Sequence, residues 1–263
     1  MSKVFLDYDQ AELDAQYDQR VWSPDMDAVI ARYAAASDAV RTHFGEPATH
    51  AYGGSAAEQL DVYGAGRKQV FVFVHGGAWR RESRRASAFP AESLLRAGAT
   101  YVALGFAALP AVTLTEMVQQ VCSGIDWVKR HLRGRVVLCG HSSGAQLAAC
   151  ALTRVDGIAK ALLISGLYDL MPVRLSARND YLNLDAEMEQ ALSPIRHRER
   201  IRCPVTVAWA EKDSVEFARQ SREFSAALGA PTLIGEGLNH FTMAETLTDP
   251  ASPLARAALA MLE

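Results

Sequence analysis

Several residue patterns that mark common protein classes are missing from this chain of 263 residues. Its four cysteines form no Cys-x-x-Cys pair, so they are expected to be small core residues in a reducing compartment, not a disulfide framework or a zinc site. No apolar run approaches the roughly 18 residues that a membrane helix needs, and the acidic N-terminus lacks a signal-peptide core. These absences predict a cytoplasmic protein without a membrane partner.

A strong excess of charge of one sign is also lacking. The chain has 27 Lys and Arg residues against 30 Asp and Glu, a net charge of −3, so nucleic acid is not an expected partner. The Gly-x-Gly-x-x-Gly, Walker and His-Glu-x-x-His patterns are missing, which argues against a nucleotide cofactor and a catalytic metal. Oligomeric state stays open at this level, and a homodimer is among the open alternatives.

Apolar residues, in contrast, are plentiful at 49% of the chain, enough to bury a large core. No repeat, low-complexity segment or linker divides the sequence, so residues 1–263 are expected to form a single domain. The N-terminal part reads as two helices, over residues 9–20 and 25–44. The second is expected to pack against the body of the domain, with lining of a pocket as the alternative.

Downstream, strand patterns alternate with helix patterns. This alternation predicts an α/β fold with a mostly parallel sheet of the eight-stranded type, helices on both faces and no large separate cap domain. An antiparallel hairpin is predicted at its edge, from strands 49–52 and 59–63. The other predicted strands are 69–74, 100–106, 135–139, 161–165, 205–210 and 232–235. The predicted helices are 83–97, 112–131, 143–154, 214–228 and 252–262, and residues 168–200 read as polar and irregular.

The most informative stretch is Gly140-His141-Ser142-Ser143-Gly144, which fits Gly-x-Ser-x-Gly. An apolar strand pattern precedes it and an apolar helix pattern follows it. This context is typical of a sharp strand-to-helix turn that presents a serine hydroxyl above the sheet. Ser142 is therefore predicted to be a nucleophile, the alternative being a turn with an incidental serine.

Serine hydrolysis also needs an imidazole base and a carboxylate that orients it. In parallel sheets, functional residues follow the carboxyl ends of strands. His240 follows the last predicted strand and Asp213 the one before it, in the order Ser, Asp, His of α/β-hydrolases. His240 is the predicted base and Asp213 the predicted orienting acid. The rival carboxylates are Asp169, Glu211 and Glu216.

A glycine loop follows the strand at 69–74. The backbone N–H groups of Gly76 and Gly77, with that of Ser143, are predicted to bind the oxyanion. His75 is expected to brace this loop rather than act as a base. The basic run at 79–85 lies near the predicted site, and either attracts an anionic substrate or is a solvated helix start.

These motifs resemble the α/β-hydrolase superfamily, and more narrowly its kynurenine formamidase (arylformamidase) and small carboxylesterase branch. The likeness covers nearly the whole chain and is carried by residues 13–17, Trp22, 75–79, 140–144, 165–170, 192–195 and the segments around Asp213 and His240. Formamidases of this branch often have tyrosine where this chain has Ala78. The resemblance implies no metal, a small acyl pocket, and partial cover of the site by residues 1–45 and 168–200.

The predicted activity is serine hydrolysis of a small-molecule acyl substrate through an acyl-enzyme. The acyl group is expected to be small, formyl or acetyl, on an aromatic or other apolar leaving group. The aromatic side chains predicted to contact the substrate are Trp79, Tyr168 and Phe241, and a place in the core is the alternative for Trp79. A general carboxylesterase or thioesterase is the alternative among enzymes, and a non-catalytic binding module is the alternative outside them.

Overall fold

The computed structural model describes residues 2–81 and 84–263. The strands of its one sheet are β1 (Ala48–Ala51), β2 (Gln59–Tyr63), β3 (Gln69–Val74), β4 (Thr100–Leu104), β5 (Arg135–His141), β6 (Ile158–Ile164), β7 (Val205–Ala210) and β8 (Thr232–Gly235). The helices are α1 (Gln10–Tyr17), α2 (Gln19–Trp22), α3 (Met26–Phe44), α4 (Ala91–Arg96), α5 (Leu114–His131), α6 (Ser143–Leu152), α7 (Met171–Leu175), α8 (Asn179–Leu182), α9 (Ala186–Leu192), α10 (Val215–Leu228), α11 (His240–Glu245) and α12 (Pro253–Ala260).

The sheet has the spatial order β1-β2-β4-β3-β5-β6-β7-β8. The pairs β1-β2 and β2-β4 are antiparallel, and the remaining pairs are parallel. The predicted mostly parallel sheet and its antiparallel edge hairpin are therefore confirmed. Because β3, β5, β6, β7 and β8 run in the same direction, their carboxyl ends share one edge, where the chemistry-bearing residues collect.

The central strands are buried on both faces, as their uninterrupted apolar sequences predict. Along β3, Val70, Val72 and Val74 face a core that includes α5 and α6 residues, while Phe71 and Phe73 face a second core on the other side. This alternation follows from the two-residue period of a strand.

Within residues 2–81 and 84–263, no helix combines the length and the hydropathy that a bilayer crossing requires.

Three predicted segments differ from the structure. The helix predicted over 9–20 is divided into α1 and α2 at Asp18, whose backbone is extended with ψ 97°. The helix predicted over 83–97 is a 3-10 turn at Arg85–Ser87 followed by the short α4, because Pro90 lacks the N–H that a continuous helix would use. The first residue of that prediction, Ser83, lies outside the described residues. Residues 168–200, predicted as irregular, contain α7, α8, α9 and a 3-10 stretch at Pro194–Arg200, segments too short for sequence periodicity to reveal.

Candidate active site

Ser142 occupies the turn between β5 and α6. Its backbone has φ 57° and ψ −127°, a region that costs a non-glycine residue energy and persists where the surroundings impose it. The turn is tight because two glycines pack without side chains. A Cβ on Gly140 would lie 2.5 Å from the Gly144 carbonyl oxygen, and one on Gly144 would lie 2.2 Å from that of Val74.

Alanine at position 144 is therefore expected to destabilise the fold sharply. Its methyl group meets backbone rather than a flexible side chain, so overpacking should cost about 3 kcal/mol or more. Gly54→Ala is the matched control, since a Cβ there has nothing within 4 Å, and it should change the free energy of unfolding by less than about 0.5 kcal/mol. Urea denaturation measures both, and equal midpoints for the two variants would contradict this packing argument.

The three side chains predicted from the sequence meet in one hydrogen-bonded chain. His240 Nε2 lies 2.8 Å from Ser142 Oγ, and His240 Nδ1 lies 2.6 Å from Asp213 Oδ1. All three are buried, with His240 at 0% exposure. With Nδ1 protonated toward the carboxylate, Nε2 is left as the acceptor that a serine hydroxyl needs in order to lose its proton.

Asp213 is held in place through its second carboxylate oxygen. Oδ2 accepts hydrogen bonds from the Ser165 hydroxyl at 2.6 Å and from the Ala210 N–H at 3.0 Å. Ser165 itself has φ 48° at the carboxyl end of β6. Ser165 has no role in the sequence prediction because the predicted strand 161–165 includes it, whereas β6 ends at Ile164 and Ser165 follows it, the position at which the other site residues also lie.

The rival carboxylates are engaged elsewhere. Asp169 pairs with Arg196 at 3.1 Å. Glu211 accepts from the Gly237 N–H at 2.6 Å, and the buried Glu216 pairs with Arg219 at 2.7 Å. The geometry thus places Asp213 next to the imidazole, and gives each rival a structural partner.

Two further histidines surround the hydrogen-bonded chain and are neutral at ordinary pH. His75 donates from Nδ1 to the Gly76 carbonyl oxygen at 2.7 Å and stacks on Phe106, the bracing position expected from the sequence. His141 donates from Nε2 to the His240 carbonyl oxygen at 2.9 Å. Burial lowers the pKa of His75 to about 4, and burial with the neighbouring His240 lowers the pKa of His141 to about 3.

Acid is expected to destabilise the protein through these two groups. The unfolded chain protonates its histidines near pH 6.5 while the fold keeps His75 and His141 neutral, so stability present at pH 7 is lost as the pH falls from about 6.5 toward 4. Each group should contribute about 1 kcal/mol per pH unit in that window. Urea titrations at several pH values measure the slope, which His75→Gln should reduce and the exposed-site control His43→Gln should not. A stability that stays flat from pH 6.5 to 5 would contradict these buried neutral histidines.

The glycine loop after β3 passes directly over the serine. A Cβ on Gly76 would lie 3.0 Å from Ser142 Cβ. Gly77, Ala78 and Trp79 follow with φ of 121°, 53° and 60°, three successive residues in a region that L side chains rarely adopt. Other contacts must hold such a run in place. One of them is the hydrogen bond that the Trp79 indole N–H donates to Gln146 Oε1 at 3.0 Å.

A cavity of about 800 Å³ opens above this loop and reaches Ser142 and His240. Part of its wall comes from the N-terminal segment and from the helical region that follows β6. The lining residues from these two parts are Asp14, Ala15, Tyr17, Asp18, Gln19, Arg20, Val21, Met26, Ile30, Tyr33, Ala177, Arg178 and Tyr181. Helix α3 therefore both packs against the body of the domain and lines the cavity. Its Val29 and Val40 are buried in the core. Its Met26, Ile30 and Tyr33 line the cavity.

Of the three aromatic residues predicted to contact the substrate, Phe241 lines the cavity. Of the other two, Tyr168 requires correction, and Trp79 takes the core position that was its alternative. Trp79 is 1% exposed with its indole bonded to Gln146, and Tyr168 is 0% exposed and stacks on Phe224 at 4.2 Å. Both side chains lie in the core behind the cavity wall, where they support the loop and the sheet.

The basic run at 79–85 divides between two environments. Arg80 and Arg81 line the cavity, while Arg84 pairs with Asp61 and hydrogen-bonds Gln59. Glu82 and Ser83 lie outside the described residues. The run is thus neither wholly a solvated helix start nor wholly a part of the site.

Comparison with known proteins agrees with this architecture. The sequence model of the alpha/beta hydrolase family matches residues 71–261. Kynurenine formamidases of Danio rerio and Salmo salar are 33% and 30% identical to this chain, covering 95% and 97% of it and 96% and 97% of their own lengths. A solved structure from Silicibacter sp. TM1040, provisionally assigned as a thioesterase, superposes with a TM-score of 0.86 at 25% identity, covering 95% of this chain and 98% of its own.

The chain therefore belongs to the alpha/beta hydrolase family and has the α/β-hydrolase fold. The similarity to kynurenine formamidases extends over the full length of the chain, so the chain is a homologue of these hydrolases. The resemblance noted from the sequence motifs is thereby confirmed at the level of the family and its formamidase relatives.

Proposed function

We propose that this protein is a serine hydrolase whose nucleophile is Ser142. The observation that carries the proposal is the buried hydrogen-bonded chain from Ser142 through His240 to Asp213, which ends at the floor of a cavity. The hydroxyl oxygen attacks an acyl carbon as His240 Nε2 takes its proton, and Asp213 stabilises the imidazolium. His240 then protonates the leaving group, and a water that it activates hydrolyses the acyl-enzyme.

The oxyanion formed in each half-reaction is proposed to bind N–H groups of Gly76, Gly77 and Ser143. As the first residue of α6, Ser143 has an N–H with no acceptor within its helix, and the helix dipole adds positive potential there. The position of Gly76 against Ser142 Cβ supports the same arrangement. Backbone donors fixed before the reaction stabilise developing charge without reorganisation.

The substrate class we propose is a small acyl ester or N-formyl amide, with arylformamidase-like activity. The full-length similarity to kynurenine formamidases supports the formamide. A thioesterase or general carboxylesterase is the second candidate, favoured by the TM-score of 0.86 to the Silicibacter structure. The cavity is large enough for an aromatic leaving group and exposes Phe241 and Tyr33 to it.

Steady-state kinetics with four substrates tests this proposal. N-formylkynurenine, p-nitrophenyl acetate, p-nitrophenyl octanoate and acetyl-CoA are compared by kcat/KM in wild-type protein and Ser142→Ala. A formamide value far above the others and dependent on Ser142 supports an arylformamidase, whereas preference for the acetyl ester or for the thioester selects an esterase or a thioesterase. Faster turnover of octanoate than of acetate would refute the small acyl group.

A further inference from the structure

The proposed base His240 lies in a part of the fold that the sheet supports little. Strand β8, which precedes it, has four residues and pairs on one side only, with β7, at the edge of the sheet. Helix α11, which His240 begins, has six residues. Helices this short are not stable through their own hydrogen bonds, so contacts from the rest of the molecule must fix the position of the imidazole.

One such contact comes from Tyr33 of helix α3. Its hydroxyl donates to the carbonyl oxygen of Phe241, the residue directly after His240, at 2.5 Å. The carbonyl oxygen of His240 itself accepts from His141 Nε2 at 2.9 Å. Two successive carbonyl groups are thus each held by a side chain, one from α3 and one from the end of β5. Together these two contacts restrict the backbone that carries the imidazole.

The Tyr33 side chain is itself held in place. Its ring stacks on Phe89, with 4.2 Å between the centroids and 6° between the planes. Burial raises the pKa of the Tyr33 phenol well above its usual value, so the hydroxyl keeps its proton and stays a donor. A side chain that packing has locked holds its hydrogen-bond partner more precisely than a mobile one does.

Two further contacts join the same helix to α11. Arg32 Nε and Nη2 donate to the two carboxylate oxygens of Glu245, the last residue of α11, at 2.5 and 2.8 Å. At the other end, Asp25 Oδ1 accepts from Nδ2 of Asn239, the N-cap residue of α11, at 2.7 Å. These two pairs are exposed and are expected to contribute less than the Tyr33 contact. Helix α3 therefore contacts α11 at its start, next to the imidazole and at its end.

We propose that Tyr33 is a positioning residue, which holds His240 in line with its two hydrogen-bond partners. Helix α3 then helps to place the base, in addition to lining the cavity. This inference rests on the proposed function for its chemistry, because the position of the imidazole affects turnover only if His240 is the base. An imidazole with more freedom to move would spend less time aligned with both partners, and proton transfer would slow in both half-reactions.

Tyr33→Phe tests the proposal, because it removes the hydroxyl and keeps the aromatic ring in the cavity wall. The kcat for p-nitrophenyl acetate is expected to fall roughly three- to tenfold, the effect of one lost hydrogen bond. KM should change by less than about twofold, since His240 serves acylation and deacylation alike. Tyr52→Phe is the matched control, because the Tyr52 hydroxyl also donates to a backbone carbonyl oxygen at 2.5 Å, that of Gly105, outside the cavity lining. It should leave kcat and KM as in wild type.

A second readout does not depend on turnover. The proton on His240 Nδ1, which is shared with Asp213 at 2.6 Å, should give a downfield signal in the proton NMR spectrum, and His240→Gln identifies this signal by its loss. Tyr33→Phe should move the signal upfield or broaden it, because the contact between Nδ1 and the carboxylate loosens. Tyr52→Phe should leave it unaltered. A purely structural role for Tyr33 predicts instead that both variants lose similar stability and keep the same signal.

Either readout overturns the proposal if Tyr33→Phe behaves like Tyr52→Phe. A raised KM with an unchanged kcat would also overturn it, because the hydroxyl would then be a substrate contact. Failure of the proposed function is a different result, namely the absence of Ser142-dependent turnover in wild-type protein. In that case the NMR comparison still decides whether Tyr33 holds the imidazole in place.

Discussion

Replacing Ser142 by alanine is expected to lower kcat for the best substrate by a factor on the order of 10⁴ to 10⁶. The hydroxyl oxygen is the only group of the hydrogen-bonded chain that faces the cavity as a nucleophile, because His240 Nδ1 is bonded to Asp213 and Nε2 to the serine itself. Without Oγ, the imidazole can at best activate a water in a cavity built for another geometry. Steady-state rates measure this loss.

Circular dichroism and thermal melting of the Ser142→Ala variant provide the structural control. Alanine removes one oxygen from a position whose strained φ of 57° is imposed by its neighbours, so the fold and the melting temperature should stay near those of wild type. The control variant Ser143→Ala keeps its backbone N–H and loses a hydroxyl that accepts from the Trp79 N–H at 3.3 Å. It should retain most activity, and an equal loss in both variants would contradict the assignment of the nucleophile.

Asp213→Asn is expected to lower kcat about 10⁴-fold with little change in the fold. The carboxylate accepts the proton on His240 Nδ1 at 2.6 Å and so leaves Nε2 free to accept from Ser142. An asparagine amide that donates to Nδ1 would place the proton on Nε2 instead, and the serine would then face a donor. The pre-steady-state burst of p-nitrophenol should slow with the steady-state rate, since acylation needs the same proton transfer.

Ser165→Ala provides a graded comparison for this effect. It removes one donor from Asp213 Oδ2 and leaves the Ala210 N–H at 3.0 Å in place. Activity should fall by roughly tenfold or less, because a net hydrogen bond contributes about 1 kcal/mol. A Ser165→Ala loss as large as that of Asp213→Asn, or an Asp213→Asn variant with near wild-type rates, would refute the proposed orienting role.

The three central residues of the candidate site could be predicted from where they stand in the sequence. Ser142, Asp213 and His240 each follow a strand of apolar sequence, and the carboxyl ends of parallel strands meet at one edge. Their order along the chain then matched an α/β-hydrolase, and the structure brings the three together within hydrogen-bonding distance. The sequence already favours Asp213 over Asp169, because Asp213 follows the penultimate strand, and the contacts agree with that choice, since Asp213 bonds His240 while Asp169 pairs with Arg196.

The family resemblance implies that residues 1–45 and 168–200 cover the site, but the individual contacts in the cavity wall cannot be predicted from the sequence, for a physical reason. Arg178 and Tyr17 are separated by 161 positions, and their contact joins a helix-to-helix connection to the N-terminal segment. No periodicity encodes a contact between two such irregular parts of a chain. The same limit explains why the sequence predicts Tyr168 on the wall and leaves Trp79 open between wall and core, since aromatic residues beside a site pack behind it as readily as they face it.

Covalent labelling tests the central claim most directly. Wild-type protein is treated with a fluorophosphonate and digested, and the modified peptide is identified by tandem mass spectrometry. The predicted result is a single adduct on Ser142, absent in Ser142→Ala and formed far more slowly in Asp213→Asn. An adduct on a different residue, or wild-type protein that stays unlabelled while it hydrolyses p-nitrophenyl acetate, would contradict Ser142 as the nucleophile.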